Sequence, residues 1–336
     1  MVIHLIGFTF LCSLAWNLGT ATERPTIGII TEELVGSLKS KFPFYDAYIA
    51  ASYVKAVESS GARPVPIIIG QSKDYYRKIF NSINGILIPG GALFFNGTDN
   101  YYSTGKLLYE MALKANQQIN FPILGVCLGF ELLVHVANHE KEIRKPCMMR
   151  DVNLSLQFAP KFKKSSLFHR TLSRIIRTLE TTNSTVNYHK WCVYPEDFES
   201  AGLDANWKIL STSLDQSQNP FISTIEHKKF PIAGVQFHPE KTMFEWSVKK
   251  NYPHTPSSIE ASRHFYDWLV AQARLNNNSF DTAQDESLSL IYNYSPVFSD
   301  LNNISYTQTY LFKTRWLRGN DAPQGEMKHD AGDISR

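Results

Sequence analysis

Apolar and polar positions alternate in a regular way through the first half of the chain. Four short apolar runs, Thr26 to Thr31, Val65 to Ile69, Gly85 to Pro89 and Pro122 to Val126, have the length and β-branched content of buried strands. Between the first two, Ile49, Ala50, Tyr53, Val54 and Val57 recur at helical spacing before Gly61, which predicts an amphipathic helix over Asp46 to Ser60. Lys106 to Ala115 repeats the pattern. Strands that alternate with helices predict an α/β fold: an open, mainly parallel central sheet with helices on both faces and ligands beyond the strands' carboxyl ends.

From about residue 147 to 236 the pattern changes to shorter alternating segments, such as Trp207 to Thr212 and Phe221 to Glu226, which suit antiparallel strands added to the same core. A later helix is expected from Ser257, with Glu260 completing a capping box and Phe265, Trp268 and Leu269 on one side. Leu290 to Phe312 reads as a returning strand pair, and the polar 313–336 segment as a disordered tail. No linker calls for a second domain, so residues 22–312 are expected to form one catalytic domain.

The amino terminus adds a targeting signal to this picture. Ile3 to Trp16 is an apolar run followed by Gly19-Thr20-Ala21, which reads as a cleaved signal peptide over residues 1–21 and is too short for a spanning helix. Six Asn-X-Ser/Thr sequons, at Asn96, Asn153, Asn183, Asn277, Asn293 and Asn303, agree with secretion to the extracellular space or lysosome. Loss of Cys12 with the leader leaves Cys127, Cys147 and Cys192, an odd number in an oxidising compartment. Cys147 and Cys192 can bridge or stay as buried thiols, and sequence does not choose. The 336 residues are 43% hydrophobic with a formal net charge of +3 and no block of like charges, which argues against nucleic acid as a partner.

Three segments carry chemistry. In Phe121-Pro-Ile-Leu-Gly-Val-Cys127-Leu-Gly-Phe-Glu131 a strand passes through a glycine-flanked cysteine into a helix, the pattern of a nucleophile elbow. The helix start is expected to favour the Cys127 thiolate, although a buried structural cysteine fits the spacing too. Pro231 to Glu240 is a second strand, ending in His238-Pro-Glu240, a base with a carboxylate to orient it. Gly85 to Gly91 ends in Pro-Gly-Gly, so that Gly91, with the amide of Leu128, is an oxyanion-donor candidate worth roughly 10²–10³ in rate per donor. His135 and His139 have metal-like spacing but no third ligand, and neither metal nor cofactor is expected.

In this order the three segments resemble the class I glutamine amidotransferase-like superfamily. With Asn187-Tyr-His-Lys-Trp191 and Gly234 to Lys241, they are most similar within it to the gamma-glutamyl hydrolase family, over about residues 24–312. The resemblance implies that Cys127, His238 and Glu240 cleave γ-glutamyl amide bonds of folylpoly-γ-glutamates through a thioester, with Glu131, His189 and Gln236 at the substrate, in a homodimer. Glu131 stands where glutaminase members commonly carry Gln. It can accept from substrate, or simply complement the helix dipole. An acidic substrate calls for cations in the cleft, with Lys39, Lys41, Lys161, Lys163 and Lys164 as candidates. The alternatives are a glutaminase or other γ-glutamyl amide hydrolase, and a secreted non-catalytic ligand-binding relative.

Overall fold

A computed structural model of the protein describes residues 22–93, 95, 100–299 and 306–314. The leader, Asn96, Asn303 and all but two residues of the 313–336 tail lie outside the described residues.

The chain opens with strands β1 (Thr26–Ile30) and β2 (Glu32–Glu33), helix α1 (Gly36–Lys41), strand β3 (Ala47–Ala50), helix α2 (Ala51–Ser59) and strand β4 (Arg63–Ile67). Helix α3 (Lys73–Ser82), β5 (Gly85–Ile88), α4 (Asn100–Ala115), β6 (Ile123–Val126) and α5 (Leu128–Ala137) follow. Next come β7 (Lys145–Leu154), β8 (Gln157–Phe158), α6 (Ser173–Thr181), β9 (Thr185–Cys192), α7 (Pro195–Ser200), β10 (Trp207–Leu214), β11 (Pro220–His227) and β12 (Ile232–Val235). The last elements are α8 (Pro239–Phe244), α9 (Pro256–Ala273), α10 (Ala283–Ser289), β13 (Val297–Phe298) and β14 (Gln308–Phe312).

Eight strands form the central sheet in the order β4-β1-β5-β6-β12-β11-β10-β8. The first five are mutually parallel, and β11, β10 and β8 add the antiparallel extension. The apolar runs of β1, β5, β6 and β12 are buried throughout, as a sheet covered by helices requires. The expected architecture is thus present, with the expected strand pair β13 and β14 at the carboxyl end. Among the described residues no helix is long and apolar enough to cross a membrane.

Local boundaries depart from the sequence pattern in three places. Ala47–Ala50 is a strand rather than the first turn of α2, because it pairs with Gln308–Phe312, a partner about 260 residues away that periodicity cannot register. Helix α4 starts at Asn100, six residues early, and buries Tyr101, Thr104, Gly105 and Leu108 on one side. Helix α9 is capped by the Thr255 side chain, which accepts from Ser258 N–H at 3.2 Å, with Pro256 in the first turn. Glu260 pairs instead with Arg174 of α6.

Strands β7 and β9 form a separate two-stranded antiparallel sheet, irregular between Pro146 and Met149 and again between Arg150 and Val152. A disulfide joins Cys147 to Cys192 across it, with Cα atoms 5.7 Å apart. That resolves the question the sequence leaves open, and among the described residues Cys127 is the one free thiol.

Candidate active site

The three chemical segments lie at the carboxyl ends of adjacent parallel strands. β6 lies between β5 and β12, with Gly125 in register with Ile88 on one side and Gly234 on the other. The Pro89-Gly90-Gly91 turn, Cys127 and His238 therefore emerge side by side. Their closeness can be read at Gly90: a Cβ placed there would lie 2.8 Å from His238 Cε1, 2.9 Å from Cys127 Cβ and 2.9 Å from Tyr53 Oη. The imidazole and the cysteine are thus no farther apart than the sum of the first two lengths, and only glycine fits between them.

Cys127 joins β6 to α5 with φ 51° and ψ −104°, a conformation rare for a side-chain-bearing residue and costing on the order of 1–3 kcal/mol. Its N–H donates to Val235 O at 2.8 Å, and its carbonyl accepts from Glu131 N–H at 2.9 Å. Glycines permit the tight approach of α5: a Cβ on Gly129 would fall 2.1 Å from Ile88 O. The elbow thus puts the sulfur at the mouth of a helix, but the expected thiolate does not follow. Burial pushes the thiol well above its ordinary value, and Glu131 and Glu240 push it further. The amide of Leu128 favours the anion without reversing this.

His238 donates from Nδ1 to Glu240 Oε1 at 2.7 Å, and both side chains are buried. Tyr266 donates to the other carboxylate oxygen at 3.3 Å. Burial lowers the His238 pKa below the usual imidazole value, against the pull of Glu240. Burial also works against the Glu240 carboxylate, yet His238 holds it below the usual carboxylate range. The resting pair is therefore a thiol and a neutral imidazole whose proton sits on Nδ1, and the Cys127 thiol has the Tyr188 carbonyl as its nearest acceptor at 4.0 Å. Tyr53 Oη lies 3.3 Å from His238 Nδ1 and accepts from Gly90 N–H at 2.8 Å. Gly90 N–H is occupied by this bond, whereas Gly91 borders the cavity and packs so closely on the buried Glu32 that a Cβ would sit 1.6 Å from its Oε2.

A cavity of about 280 Å³ opens over the sulfur, lined by Gly91, Cys127, Leu128, Glu131 and His189 among others. His189 donates from Nδ1 to Trp191 O at 2.8 Å, and burial lowers its pKa to about 3, so it is neutral. The same nitrogen is 3.6 Å from Cys147 Sγ and 3.9 Å from Cys192 Sγ. Among the described residues this trio alone groups three candidate metal ligands, and its sulfurs are bonded to each other. His135 packs instead against Phe95 and Tyr102.

The Glu131 carboxylate is already engaged: Oε2 accepts from Arg144 Nη1 at 2.7 Å and Oε1 from Gln236 Nε2 at 3.1 Å. Arg144 lies over the Phe95 ring at 4.2 Å. Gln236 is fully buried behind Glu131 and does not line the cavity. None of Lys39, Lys41, Lys161, Lys163 and Lys164 lines it; the cations that do are Arg150 and Lys190, beside Tyr188 and Trp191. Lys190 and Trp191 sit inside the Asn187 to Trp191 motif and could have been singled out from it. Arg144 and Arg150 carry no such signal; Tyr53 lies within the family-like Tyr48 to Lys55 segment, but its spacing reads as a core position of its helix.

Comparison with known proteins identifies the family. The mouse protein named gamma-glutamyl hydrolase is 37% identical over 294 residues, 87% of this chain and 90% of that one. The human gamma-glutamyl hydrolase is 33% identical over 301 residues, covering 88% and 91%, and gamma-glutamyl hydrolase B of Dictyostelium discoideum is 33% identical over 317, covering 93% and 90%. Residues 25–240, which span every segment of the site, match the family described as Peptidase C26, and the chain belongs to that family.

Proposed function

We propose that this chain hydrolyses γ-glutamyl amide bonds with Cys127 as nucleophile, His238 as proton carrier and Glu240 as the group that orients and stabilises it. The observation that carries the reading is the convergence of Cys127, His238 and Tyr53 on Gly90, over a cavity that Cys127 itself lines. It is supported by the family and by relatives named for the same activity.

With a raised thiol and a neutral imidazole, the sulfur attacks the substrate δ-carbonyl carbon as its proton passes to His238 Nε2. Glu240 stabilises the imidazolium that results. The carbonyl oxygen becomes an oxyanion, for which the amides of Leu128 and Gly91 are the donors proposed. Collapse expels the amine, protonated by His238, and leaves a thioester on Cys127. Water then attacks the thioester, giving its proton to His238, and the acid leaves as the thiol is restored.

The substrate we assign is folylpoly-γ-glutamate. Glu131, held by Arg144 and Gln236, then serves to shape the floor, and His189 forms the wall. The Cys147–Cys192 bridge and exposed Asn183, Asn277 and Asn293 support passage through an oxidising, glycosylating pathway to the lysosome or the cell exterior. A homodimer is expected from the family resemblance alone, with sedimentation velocity as its check.

The test is product analysis by mass spectrometry of a pteroylpenta-γ-glutamate digest, with wild type and Cys127→Ala in parallel. Glutamate release by wild type and a loss of about 10⁴-fold or more in the variant are expected. Undiminished turnover by Cys127→Ala would overturn the mechanism, and a wild type that hydrolyses glutamine alone would move the assignment to a glutaminase.

A further inference from the structure

Cations around the β7–β9 sheet fall into two groups. Arg144 is paired with Glu131 and Glu142, Lys145 with Asp197 at 2.7 Å, and Lys250 with Asp151. Arg150 and Lys190 are different: both are exposed, both line the cavity over Cys127, and neither has a carboxylate partner among the described residues. Arg150 lies opposite Tyr188 in the strand register, two residues from Lys190, so the charges stand together on one wall. Among the described residues the sole acidic side chain lining the cavity is Glu131, which is itself paired with Arg144. The wall therefore presents two uncompensated positive charges to whatever occupies the cavity.

We infer that Arg150 and Lys190 form an anion subsite that takes the free α-carboxylates of a γ-linked glutamyl chain beyond the scissile bond. In such a chain each residue is joined through its side chain, so every unit keeps an α-carboxylate, and a run of units offers an array that one γ-glutamyl group lacks. An Arg fork and a Lys point charge, held on adjacent strands beside Tyr188 and Trp191, match successive carboxylates. This inference rests on the proposed γ-glutamyl specificity and names the residues that make the enzyme prefer chains.

Binding to the Cys127→Ala protein tests it without turnover. Titration calorimetry with penta-γ-glutamate is compared between Cys127→Ala and the same protein carrying Arg150→Gln and Lys190→Gln. The double replacement is expected to weaken penta-γ-glutamate binding by about 10–100-fold, and γ-glutamylanilide, with one carboxylate, at least about fivefold less. Raising salt from about 0.05 to 0.5 M should weaken binding of the pentamer to the parent more than to the double variant. Arg150→Lys should recover part of the loss, and far-ultraviolet dichroism checks that the variants are folded. Equal losses for both ligands, or unchanged affinity and salt dependence, would overturn the subsite. A wild-type enzyme that binds the chain through these residues yet never cleaves it would count against the catalytic reading and leave the subsite standing.

Discussion

The strand ends that carry Cys127 and His238 and the two-stranded β7–β9 sheet border one cavity but are built in contrasting ways. On the strand side the groups are buried, their backbones are pinned by a parallel ladder, and glycines let them approach until no Cβ would fit. The β7–β9 side is an irregular two-stranded sheet with exposed cations and a covalent bridge in place of a deep core. Rigid burial suits a proton relay, where a small displacement destroys the transfer geometry. An exposed charged wall suits recognition of a flexible anion, which needs field and reach more than fixed geometry. The difference teaches that chemistry and selection can share a cavity without sharing a scaffold.

The sharpest way to break this division is at Glu240. Glu240→Gln keeps the shape and removes the charge that holds His238 in its tautomer, so kcat should fall about 10³-fold in a glutamate-release assay while KM moves little. A comparable rise in KM would mean that the strand side also selects substrate. On the β7–β9 side, Cys192→Ser opens the bridge and should lower unfolding free energy by about 2–4 kcal/mol in a urea titration, with the activity loss confined to what His189 transmits. Loss of activity as deep as that of Glu240→Gln, in protein still folded, would make the β7–β9 sheet part of the chemistry.

The smallest effect concerns acidity. His189 is neutral in the fold, with a pKa of about 3 caused by burial, whereas the unfolded chain takes up a proton near the ordinary imidazole value. The unfolded state therefore binds more protons between those two values, and stability falls as pH drops below about 6.5. Between pH 7 and 5 His189 alone accounts for roughly 2 kcal/mol, and buried His238 acts in the same direction. Thermal melts at the two values should show the decrease, and His189→Asn should flatten it.

Much of the strand side was legible in sequence because each functional residue there ends an apolar run. Gly91, Cys127 and His238 are placed by β5, β6 and β12, and parallel pairing of those strands follows from their continuous burial. The protonation state was not legible: a helix start suggests a thiolate, but the depth at which the elbow is buried, a property of the assembled fold, outweighs it. Glu131 is similar, since its pairing with Arg144 depends on where the chain crosses after α5. Lysine clusters suggest cleft cations from sequence, whereas the cations that line the cavity, Arg150 and Lys190, are brought together through strand register. Ala47–Ala50 was misread for the same reason, its partner strand being far along the chain.

Because Cys147 and Cys192 are tied to each other, Cys127 is the one free thiol left among the described residues, and its side chain is almost wholly enclosed. A thiol reagent small enough to enter the cavity would attach once per chain, whereas bulky reagents would find little to label. The mass gained by the protein would then count its working molecules directly, and protection from that gain by an added ligand would report occupancy of the cavity.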